Sequence, residues 1–306
     1  MIDLIINKLL RPFGFRIIKL EKGIKIIRFF GNKTFNVGDY RIKSPSTHPL
    51  AKNLRRYKYY SRNLSRLVDI ISSQIPDLEV IDVGANIGDS AAFVNSVGVK
   101  PKKIYCFEGE KEYICYFKHN TSSMNNVVLF ETFLGENDNE KNFNVYKDDG
   151  TLRIDTTKKG EIQIDSLDNI LNSHKELENV KFLKTDTDGY DFKILRGAKK
   201  IITKAKPILF FEYDRVYLDK VNDDGFSTFD MLEDLGYDKA IFYDNYGRLL
   251  LSVSITNKQN LHQLDQYIKD YKGSFYYYDI CLFHKNDNAI FEKVINKEFQ
   301  FFKNQD

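Results

Sequence analysis

Residues 80–90 read VIDVGANIGDS, an apolar run followed by a glycine-containing turn. The pattern predicts a buried strand, a tight turn and then a helix, an arrangement that places ligands beside the carboxyl ends of strands in α/β sheets. Gly84 suits the turn, Gly88 allows the helix to approach the sheet closely, and the helix N-terminus offers unpaired N–H groups to an anion. Because Asn86 stands where a dinucleotide site has its second glycine, we expect a smaller ligand with a carboxylate and an ammonium group, and Asp82 is available for the ammonium.

The sequence on both sides of this turn alternates short apolar runs with amphipathic stretches, which predicts a doubly wound, mostly parallel α/β sheet. The predicted strands are 79–83, 103–108, 127–132, 180–186, 207–213, 238–244 and 275–284. Residues 140–165 are β-like and contain Asp-Gly and Lys-Gly turn signals, so they predict an antiparallel insertion. We therefore expect a core domain over residues 76–285 and a C-terminal helix over 286–306.

Residues 1–75 differ from the rest of the chain in charge. They carry 16 Lys and Arg against 4 Asp and Glu, a net charge of +12, whereas the remainder has a net charge of −9. Apolar residues near helical spacing predict a basic, helical N-terminal extension, which includes a helix over His48–Ile71. Such a segment suits anionic partners. It lies either on a membrane surface, through residues 1–30, or on its own domain or a second subunit of a homodimer.

Composition excludes several classes of protein. No apolar run reaches the roughly 18 residues of a membrane-spanning helix, and the N-terminus lacks the cleavage site of a secretory signal. The 3 cysteines fit neither a disulfide framework nor a metal knuckle, which favours a reducing compartment. The 5 histidines form no zinc motif, and no nucleic-acid recognition motif accompanies the basic segment. We expect a cytoplasmic protein, with a peripheral place at the inner face of the membrane left open.

A second acidic residue follows the turn at an informative distance. Glu108 ends the second predicted strand, 24 residues after Gly84, close to the spacing at which an acid binds ribose hydroxyls. Turn and acid together predict a nucleoside cofactor without a pyrophosphate. The alternative is that two unrelated strands happen to end in acids.

Several motifs in this order resemble the FkbM family of S-adenosylmethionine-dependent methyltransferases. They are VIDVGANIGDS, YCFEGEKE, SLDNIL, VKFLKTDTDGYDFKILRGA and PILFFEY, spread over roughly residues 45–285. Asp188 and Asp191 stand where the family usually has glutamates, and this difference bears on the acceptor geometry but not on the fold. Gly109 replaces a common proline. The resemblance implies a Rossmann-like class I methyltransferase fold, with S-adenosylmethionine as cofactor and S-adenosylhomocysteine as product.

The resemblance also implies which residues bind the cofactor. Thr132 to Gly135, which include Leu134, would lie near the adenine. The other implied cofactor residues are Asp82, Gly84, Asn86, Gly88, Ser90 and Glu108.

Acids at the ends of the fourth and fifth predicted strands are the candidate catalytic residues. Asp186, Asp188 and Glu212 should cluster where the cofactor's methyl group points, and a carboxylate there can take the proton of an acceptor hydroxyl. His48, in the loop before the turn, is a further candidate. Paired carboxylates could instead hold a divalent cation, although we predict no metal site. For Asp188 and Asp191, stabilisation of a helix N-terminus is an equally good explanation.

The resemblance implies an O-methyltransferase, and we expect a sugar hydroxyl in surface polysaccharide or glycolipid biosynthesis as its acceptor. The basic extension suits a nucleotide-linked or lipid-linked glycan, and nucleic acid is not expected as a partner. Two alternatives remain open at this point. One is methylation of a small-molecule hydroxyl in secondary metabolism, and the other is a non-catalytic scaffold that binds the cofactor.

Overall fold

A computed structural model of the chain describes residues 31–137, 162–270 and 275–305, together with the backbone of the strands at 15–20, 23–28, 140–148 and 151–155. The strands of this described part are, in chain order, β1 (Phe15–Leu20), β2 (Gly23–Arg28), β3 (Asn32–Val37), β4 (Tyr40–Pro45), β5 (Glu79–Val83), β6 (Lys103–Phe107), β7 (Val127–Phe130), β8 (Phe133–Leu134), β9 (Glu140–Asp148), β10 (Thr151–Asp155), β11 (Ile162–Asp165), β12 (Phe182–Thr185), β13 (Ile208–Asp214), β14 (Tyr237–Asp244), β15 (Leu249–Ser254) and β16 (Tyr277–His284).

The α-helices that the structure describes lie between and after these strands. They are α1 (Leu50–Arg56), α2 (Arg62–Ser72), α3 (Asp89–Asn95), α4 (Lys111–Asn120), α5 (Leu167–Ser173), α6 (Asp191–Arg196), α7 (Lys199–Ala205), α8 (Arg215–Lys220), α9 (Phe226–Asp234), α10 (Lys258–Asp270) and α11 (Asn288–Lys303). Short 3₁₀ turns occur at Lys175–Asn179 and Lys285–Asp287.

The central sheet has eight strands in the order β15-β14-β16-β13-β12-β5-β6-β7. The five from β13 to β7 are parallel, and β16 pairs antiparallel with both β13 and β14. The strand order reverses beside β5, because β6 lies on one side of it and β12 on the other. The carboxyl ends of β5 and β12 therefore form the switch point at which open α/β sheets bind ligands. This arrangement confirms the predicted doubly wound, mostly parallel α/β fold.

Helices cover both faces of the sheet, because strands that are apolar on both faces must be buried on both. One face packs against α1 to α4 and α11, through buried residues such as Leu67, Ala91, Phe117 and Val294. The other face packs against α5 to α10, through residues such as Phe192. The two layers fix the loops at the carboxyl ends of the strands.

The N-terminal extension is not the helical segment that the sequence predicted. Residues 15–20 and 23–28 form the antiparallel pair of β1 and β2, and residues 32–45 form the pair of β3 and β4. Among the residues from 31 onward that the structure describes, the first α-helix begins at Leu50, and residues 57–61 interrupt the single helix expected over His48–Ile71. The prediction for residues 1–14 lies outside the described residues. Backbone pairing between neighbouring strands, which a helix cannot offer, stabilises β1 to β4.

The insertion after β8 pairs mainly antiparallel. Strand β9 pairs antiparallel with β10 and β11, while β11 pairs parallel with β8 in a sheet of the order β10-β9-β11-β8. The chain then returns to the central sheet, and it reaches α11 after β16. A bidentate ion pair between Arg66 of α2 and Glu298 of α11, with N–O distances of 2.8 and 2.9 Å, attaches the last helix to the N-terminal half of the domain.

Candidate active site

The turn after β5 is held between the ends of two neighbouring strands. The amides of Gly84 and Ala85 donate to the Phe107 carbonyl at 3.0 and 3.1 Å. Gly84 has a φ of +74°, and a Cβ at this position would lie only 2.1 Å from the Asp186 carbonyl oxygen. Glycine is therefore required both for the backbone conformation and for the close approach to the loop after β12.

Glu108 fixes the same turn from the end of β6. One of its carboxylate oxygens accepts from the Asn86 amide and the other from the Glu110 amide, each at 2.8 Å. Burial raises the pKa of Glu108, and these N–H donors oppose that shift. The carboxylate thus occupies a defined position beside the turn.

A cavity of about 80 Å³, the smaller cavity, opens beside Glu108. Its walls include Thr132, Phe133, Leu134, Tyr113 and Tyr190. A Cβ at Gly109 would lie 2.4 Å from the Phe133 ring, so the missing side chain leaves that ring in place as a wall. A carboxylate beside apolar and aromatic walls suits a nucleoside, because hydroxyls can donate to the acid while a flat base packs on the rings. The residues therefore fit the group that the sequence implied.

Asp82 does not take the place that the sequence predicted for it. Its carboxylate is buried, lies 2.9 Å from the Lys184 ammonium and accepts from the Ser90 hydroxyl at 2.7 Å. Asp82 lines neither this cavity nor the larger one described below, so it is not available for a ligand's ammonium group. Burial alone would lower the pKa of Lys184, but Asp82 and Asp186 outweigh burial and raise it. Lys184 and Ser90 therefore neutralise and hold Asp82.

Gly88 makes a different close contact from the one predicted. A Cβ there would lie 2.9 Å from Thr121 Cγ2 and 3.2 Å from a Phe117 ring carbon, so the glycine permits packing against α4 rather than against the sheet. Next to this contact, Asn120 donates to the Ile87 carbonyl at 2.7 Å and accepts from the Lys43 amide at 2.9 Å. The turn is thereby attached to β4 through α4.

A second cavity of about 380 Å³, the larger cavity, adjoins the first. Four residues line both cavities, so the two meet at these residues. They are Gly84, Asn86, Asp186 and Asp188.

Two of the predicted catalytic acids stand at this junction. The side chain of Asp186 is 58% exposed, and its Oδ2 lies 3.7 Å from Lys184 Nζ. Asp188 has a φ of +50°, a conformation that turns the chain sharply before α6. Asp191, by contrast, is fully buried, and its Oδ2 accepts from the Thr187 and Gly189 amides at 3.4 Å. These contacts hold the loop that leads into α6, and Asp191 lines neither cavity.

Glu212 lies in the larger cavity opposite an acid that the sequence analysis missed. Antiparallel pairing of β13 with β16 places Asp279 directly across from Glu212. Asn63 donates to Asp279 at 2.7 Å, whereas Glu212 Oε1 is buried without a hydrogen-bond partner. Burial and the nearby Asp186 raise the pKa of Glu212 well above its usual range, and burial raises that of Asp279 to about 7. The signal for Asp279 was a single charge within the apolar run FYYYDICLFH.

His48 lines the larger cavity but is not arranged as a base. The Leu50 amide donates to its Nδ1 at 3.3 Å, so Nε2 carries the proton and donates to Asn86 Oδ1 at 3.2 Å. Burial lowers the pKa of His48 to about 4. With one nitrogen accepting and the other donating, neither is free to take a proton. This arrangement favours a positioning role for His48 toward Asn86 over the predicted role as a base.

The described side chains do not form a metal site. Within residues 31–137, 162–269 and 275–305, no group of three or more His, Cys, Asp or Glu side chains converges in a way that could hold a metal ion. The helices described for this chain are also too short or too polar to cross a membrane.

Comparison with known proteins identifies one matching family. A model of the methyltransferase FkbM domain matches residues 82–239, just over half of the chain. The comparison with curated proteins gave no match.

Several solved structures have a similar chain path. The FkbM methyltransferase of Methylobacillus flagellatus is 19% identical with a TM-score of 0.37, and the match covers 53% of this chain and 39% of that one. The chain thus matches well under half of the length of that protein. TYW2 of M. jannaschii, solved with AdoMet, is 12% identical with a TM-score of 0.41 and coverages of 89% and 93%. Fibrillarin of Aeropyrum pernix, with natively bound S-adenosyl-L-methionine, is 12% identical with a TM-score of 0.36 and coverages of 88% and 94%.

Proposed function

Because the chain belongs to the FkbM methyltransferase family, we propose that it transfers a methyl group from S-adenosylmethionine to a hydroxyl oxygen of a sugar. One observation carries this proposal: two cavities of different character meet at Asp186 and Asp188. The smaller cavity has the carboxylate and the rings that suit a nucleoside, and the larger one is polar and large enough for a sugar ring. A methyl group must pass between two ligands held end to end, which this junction permits.

We assign the residues around the smaller cavity and the turn to binding of the methyl donor. Glu108 accepts the ribose hydroxyls, while Phe133 and Tyr190 pack against the base. The turn at Gly84 holds the methionine end close to the junction. S-adenosylmethionine supplies a methyl group on a positively charged sulfur. Ser90 lines the larger cavity, and its hydroxyl donates to Asp82, which braces the turn from behind.

Asp186 is the residue best placed to act as base. Its carboxylate lies at the junction and is partly exposed, so it can accept the acceptor's hydroxyl proton while the new oxygen–carbon bond forms. Glu212 lines the larger cavity but not the junction of the two cavities, so it is less well placed than Asp186 to act as the base. We assign Glu212 to orienting the acceptor, and Asp188 to the position beside the transferred methyl group.

The basic surface next to the larger cavity suits an acceptor that also carries an anion. Lys52 and Arg55 are exposed on α1, the helix that contributes Leu50 and Asn53 to the cavity wall. Burial and the charges of Arg55 and Lys52 lower the pKa of Lys33, as expected where cations crowd together. A phosphate on a nucleotide-linked or lipid-linked glycan would neutralise this cluster. Such a partner would place the enzyme in the cytoplasm or at the inner face of a membrane.

Calorimetric titration with S-adenosylhomocysteine tests the cofactor assignment. We expect binding in the micromolar range that is weakened at least about tenfold in Glu108→Ala, because the carboxylate's charge-assisted hydrogen bonds are lost. Glu131→Ala is the matched control, since that side chain is 52% exposed and paired only with Lys118 at the surface. Equal affinities in the wild type and Glu108→Ala would refute the assignment.

Transfer of a labelled methyl group to a panel of free, nucleotide-linked and lipid-linked sugars tests the reaction. We expect product with at least one sugar and a large loss of turnover in Asp186→Asn without loss of S-adenosylhomocysteine binding. Cofactor binding with no transfer to any sugar, and transfer to hydroxyls of other small molecules, would instead favour a role in small-molecule methylation.

A further inference from the structure

We propose that the Glu212 and Asp279 end of the larger cavity binds a protonated amine, so that the acceptor is an amino sugar or a related amino alcohol. This inference rests on the proposed function, because it assigns the larger cavity to the acceptor. It adds the chemical class of the group that the acceptor carries beside its reacting hydroxyl.

The charges around the larger cavity are strongly unbalanced. Among the described lining residues, Lys184 is the sole side chain that carries a positive charge, and it already lies 2.9 Å from Asp82. His48 is neutral for the reasons given above. Six carboxyl groups line the cavity, namely Asp89, Asp186, Asp188, Glu212, Asp214 and Asp279. A cationic acceptor would be attracted to this set of acids, among which Glu212 and Asp279 lie opposite each other in the β13 and β16 pair.

Glu212 supplies the second, independent observation. Its Oε1 is buried and has no hydrogen-bond partner, and the residue lines the cavity. A buried carboxylate oxygen without a donor costs free energy that an incoming donor recovers. An ammonium group has three donors, so it can satisfy this oxygen and the carboxylate of Asp279 across the strand pair. Asn63, which already donates to Asp279, keeps that carboxylate aimed at the same place.

Aromatic rings border the same end of the cavity. Tyr60, Tyr276, Tyr277 and Phe210 contribute to its lining. Ring faces attract cations and also pack against the apolar face of a sugar, so they suit an amino sugar on both counts. The combination of two carboxylates and several rings is the chemistry by which proteins recognise amines.

A metal ion fits this end of the cavity less well than an amine does. A divalent cation takes six or more oxygen ligands, yet the side chains that the structure describes contain no converging group of three acids, cysteines or histidines. An ammonium group needs only two or three acceptors, which is what Glu212 and Asp279 provide.

Binding of the amine also selects the atom that is methylated. An ammonium group held by two carboxylates has no lone pair, so it cannot attack the methyl group. The neighbouring hydroxyl keeps its lone pairs and can lose its proton to Asp186 as the oxygen–carbon bond forms and the sulfur–carbon bond breaks. The arrangement therefore favours O-methylation of a substrate that also contains an amine.

Titration of the protein with D-glucosamine, N-acetyl-D-glucosamine and D-glucose, each in the presence of S-adenosylhomocysteine, tests the inference. We expect D-glucosamine to bind at least about tenfold more tightly than the two neutral sugars, because its ammonium pairs with buried carboxylates. Glu212→Gln should reduce this preference to about twofold or less, and Asp279→Asn should reduce it in the same direction. Glu131→Gln, an exposed acid outside the cavity, should keep it.

The outcomes separate this inference from the proposed function. Unchanged affinity of Glu212→Gln for S-adenosylhomocysteine would show that the variant is folded. Failure of S-adenosylhomocysteine to bind would remove the proposed function, while the same three titrations without it would still test the amine site. Equal binding of the three sugars, absence of D-glucosamine binding, or Glu212-dependent binding of Mg²⁺ that displaces D-glucosamine would each overturn the inference.

Discussion

The ammonium of Lys184 lies 2.9 Å from the carboxylate of Asp82, and both side chains are at least 95% buried behind the turn after β5. Adjacent parallel strands β12 and β5 place the two residues directly beside each other. This pair supports the floor of the site, and its energetics differ from those of an exposed ion pair.

Replacing one partner should therefore destabilise the protein strongly. We expect Lys184→Met to lower the free energy of unfolding by about 3–5 kcal/mol, because it leaves Asp82 buried without a counter-charge. The double variant Lys184→Met/Asp82→Asn should recover part of that loss. Urea denaturation of the three proteins measures both effects. Lys102→Met, which removes a 55% exposed lysine 3.5 Å from Glu79, is the control and should cost at most about 1 kcal/mol.

Gly84→Ala should disturb both stability and cofactor binding. The residue has a positive φ, and the new Cβ would lie 2.1 Å from a backbone oxygen. We therefore expect the free energy of unfolding to fall by at least about 2 kcal/mol and S-adenosylhomocysteine to bind more weakly. Gly98→Ala serves as the comparison, since its Cβ would make an ordinary 3.4 Å contact. Similar stability and affinity in the two variants would contradict the structural role assigned to Gly84.

Asp279 should make the protein less stable as the pH rises. Burial raises its pKa to about 7 in the folded protein, whereas an unfolded Asp titrates near pH 4. Between these values the folded state holds the extra proton, so this group's contribution to stability falls as the pH rises. The free energy of unfolding of Asp279→Asn, taken relative to that of the wild type, should rise by about 1–3 kcal/mol as the pH is raised from 4 to 8.

Chemical denaturation at a series of pH values measures that gain. Wild-type stability alone cannot reveal it, because the pKa of His48 is lowered to about 4 and His48 contributes with the opposite sign, losing stability as the pH falls below about 6.5. The difference between the two proteins isolates Asp279. Glu292→Gln, an exposed change on α11, should give a curve parallel to that of the wild type. A pH-independent difference for Asp279→Asn would rule the effect out.

His48 should influence affinity for the cofactor without titrating in the reaction. His48→Gln can keep a donor to Asn86 Oδ1, and we expect its affinity for S-adenosylhomocysteine to stay within about threefold of the wild type. His48→Leu loses the donor and should bind about five- to tenfold more weakly. Rates measured from pH 6 to pH 9 should show the same midpoints in the wild type and His48→Gln. A midpoint that disappears in His48→Gln would restore His48 as a base.

Much of the central sheet could be predicted from the sequence because its strands are continuous apolar runs. The expected strand at 79–83 coincides with β5, and the one at 207–213 differs from β13 by one residue at each end. The acids at the carboxyl ends of β6, β12 and β13 follow from the same pattern, since parallel strands end at the same edge of the sheet.

The N-terminal extension shows where sequence patterns are insufficient. Residues 15–28 contain isoleucines and basic residues at spacings that fit a helix as well as a strand, and short apolar runs cannot be distinguished by periodicity alone. Antiparallel pairing of β1 with β2, in which Phe15 lies opposite Arg28, decides the outcome, and spacing within one segment does not reveal that pairing.

The roles of Asp82 and Asp279 could not be predicted for a related reason. Asp82 is occupied because strand register brings Lys184 beside it. Asp279 reaches the site because β16 inserts antiparallel next to β13, far along the chain from the turn. Both depend on which strands become neighbours, and residue type and spacing within one segment do not contain that information.

The walls of the two cavities come from different parts of the chain. Every residue that lines the smaller cavity lies within residues 82–239, the segment that matches the family model. Half of the larger cavity's lining lies outside that segment, in residues 48–64 and 245–279. Substrate choice can therefore evolve through exchange of the flanking segments while the methyl-donor side stays intact. For the same reason, substitutions confined to residues 48–64 and 245–279 would change the lining of the larger cavity and leave that of the smaller one intact.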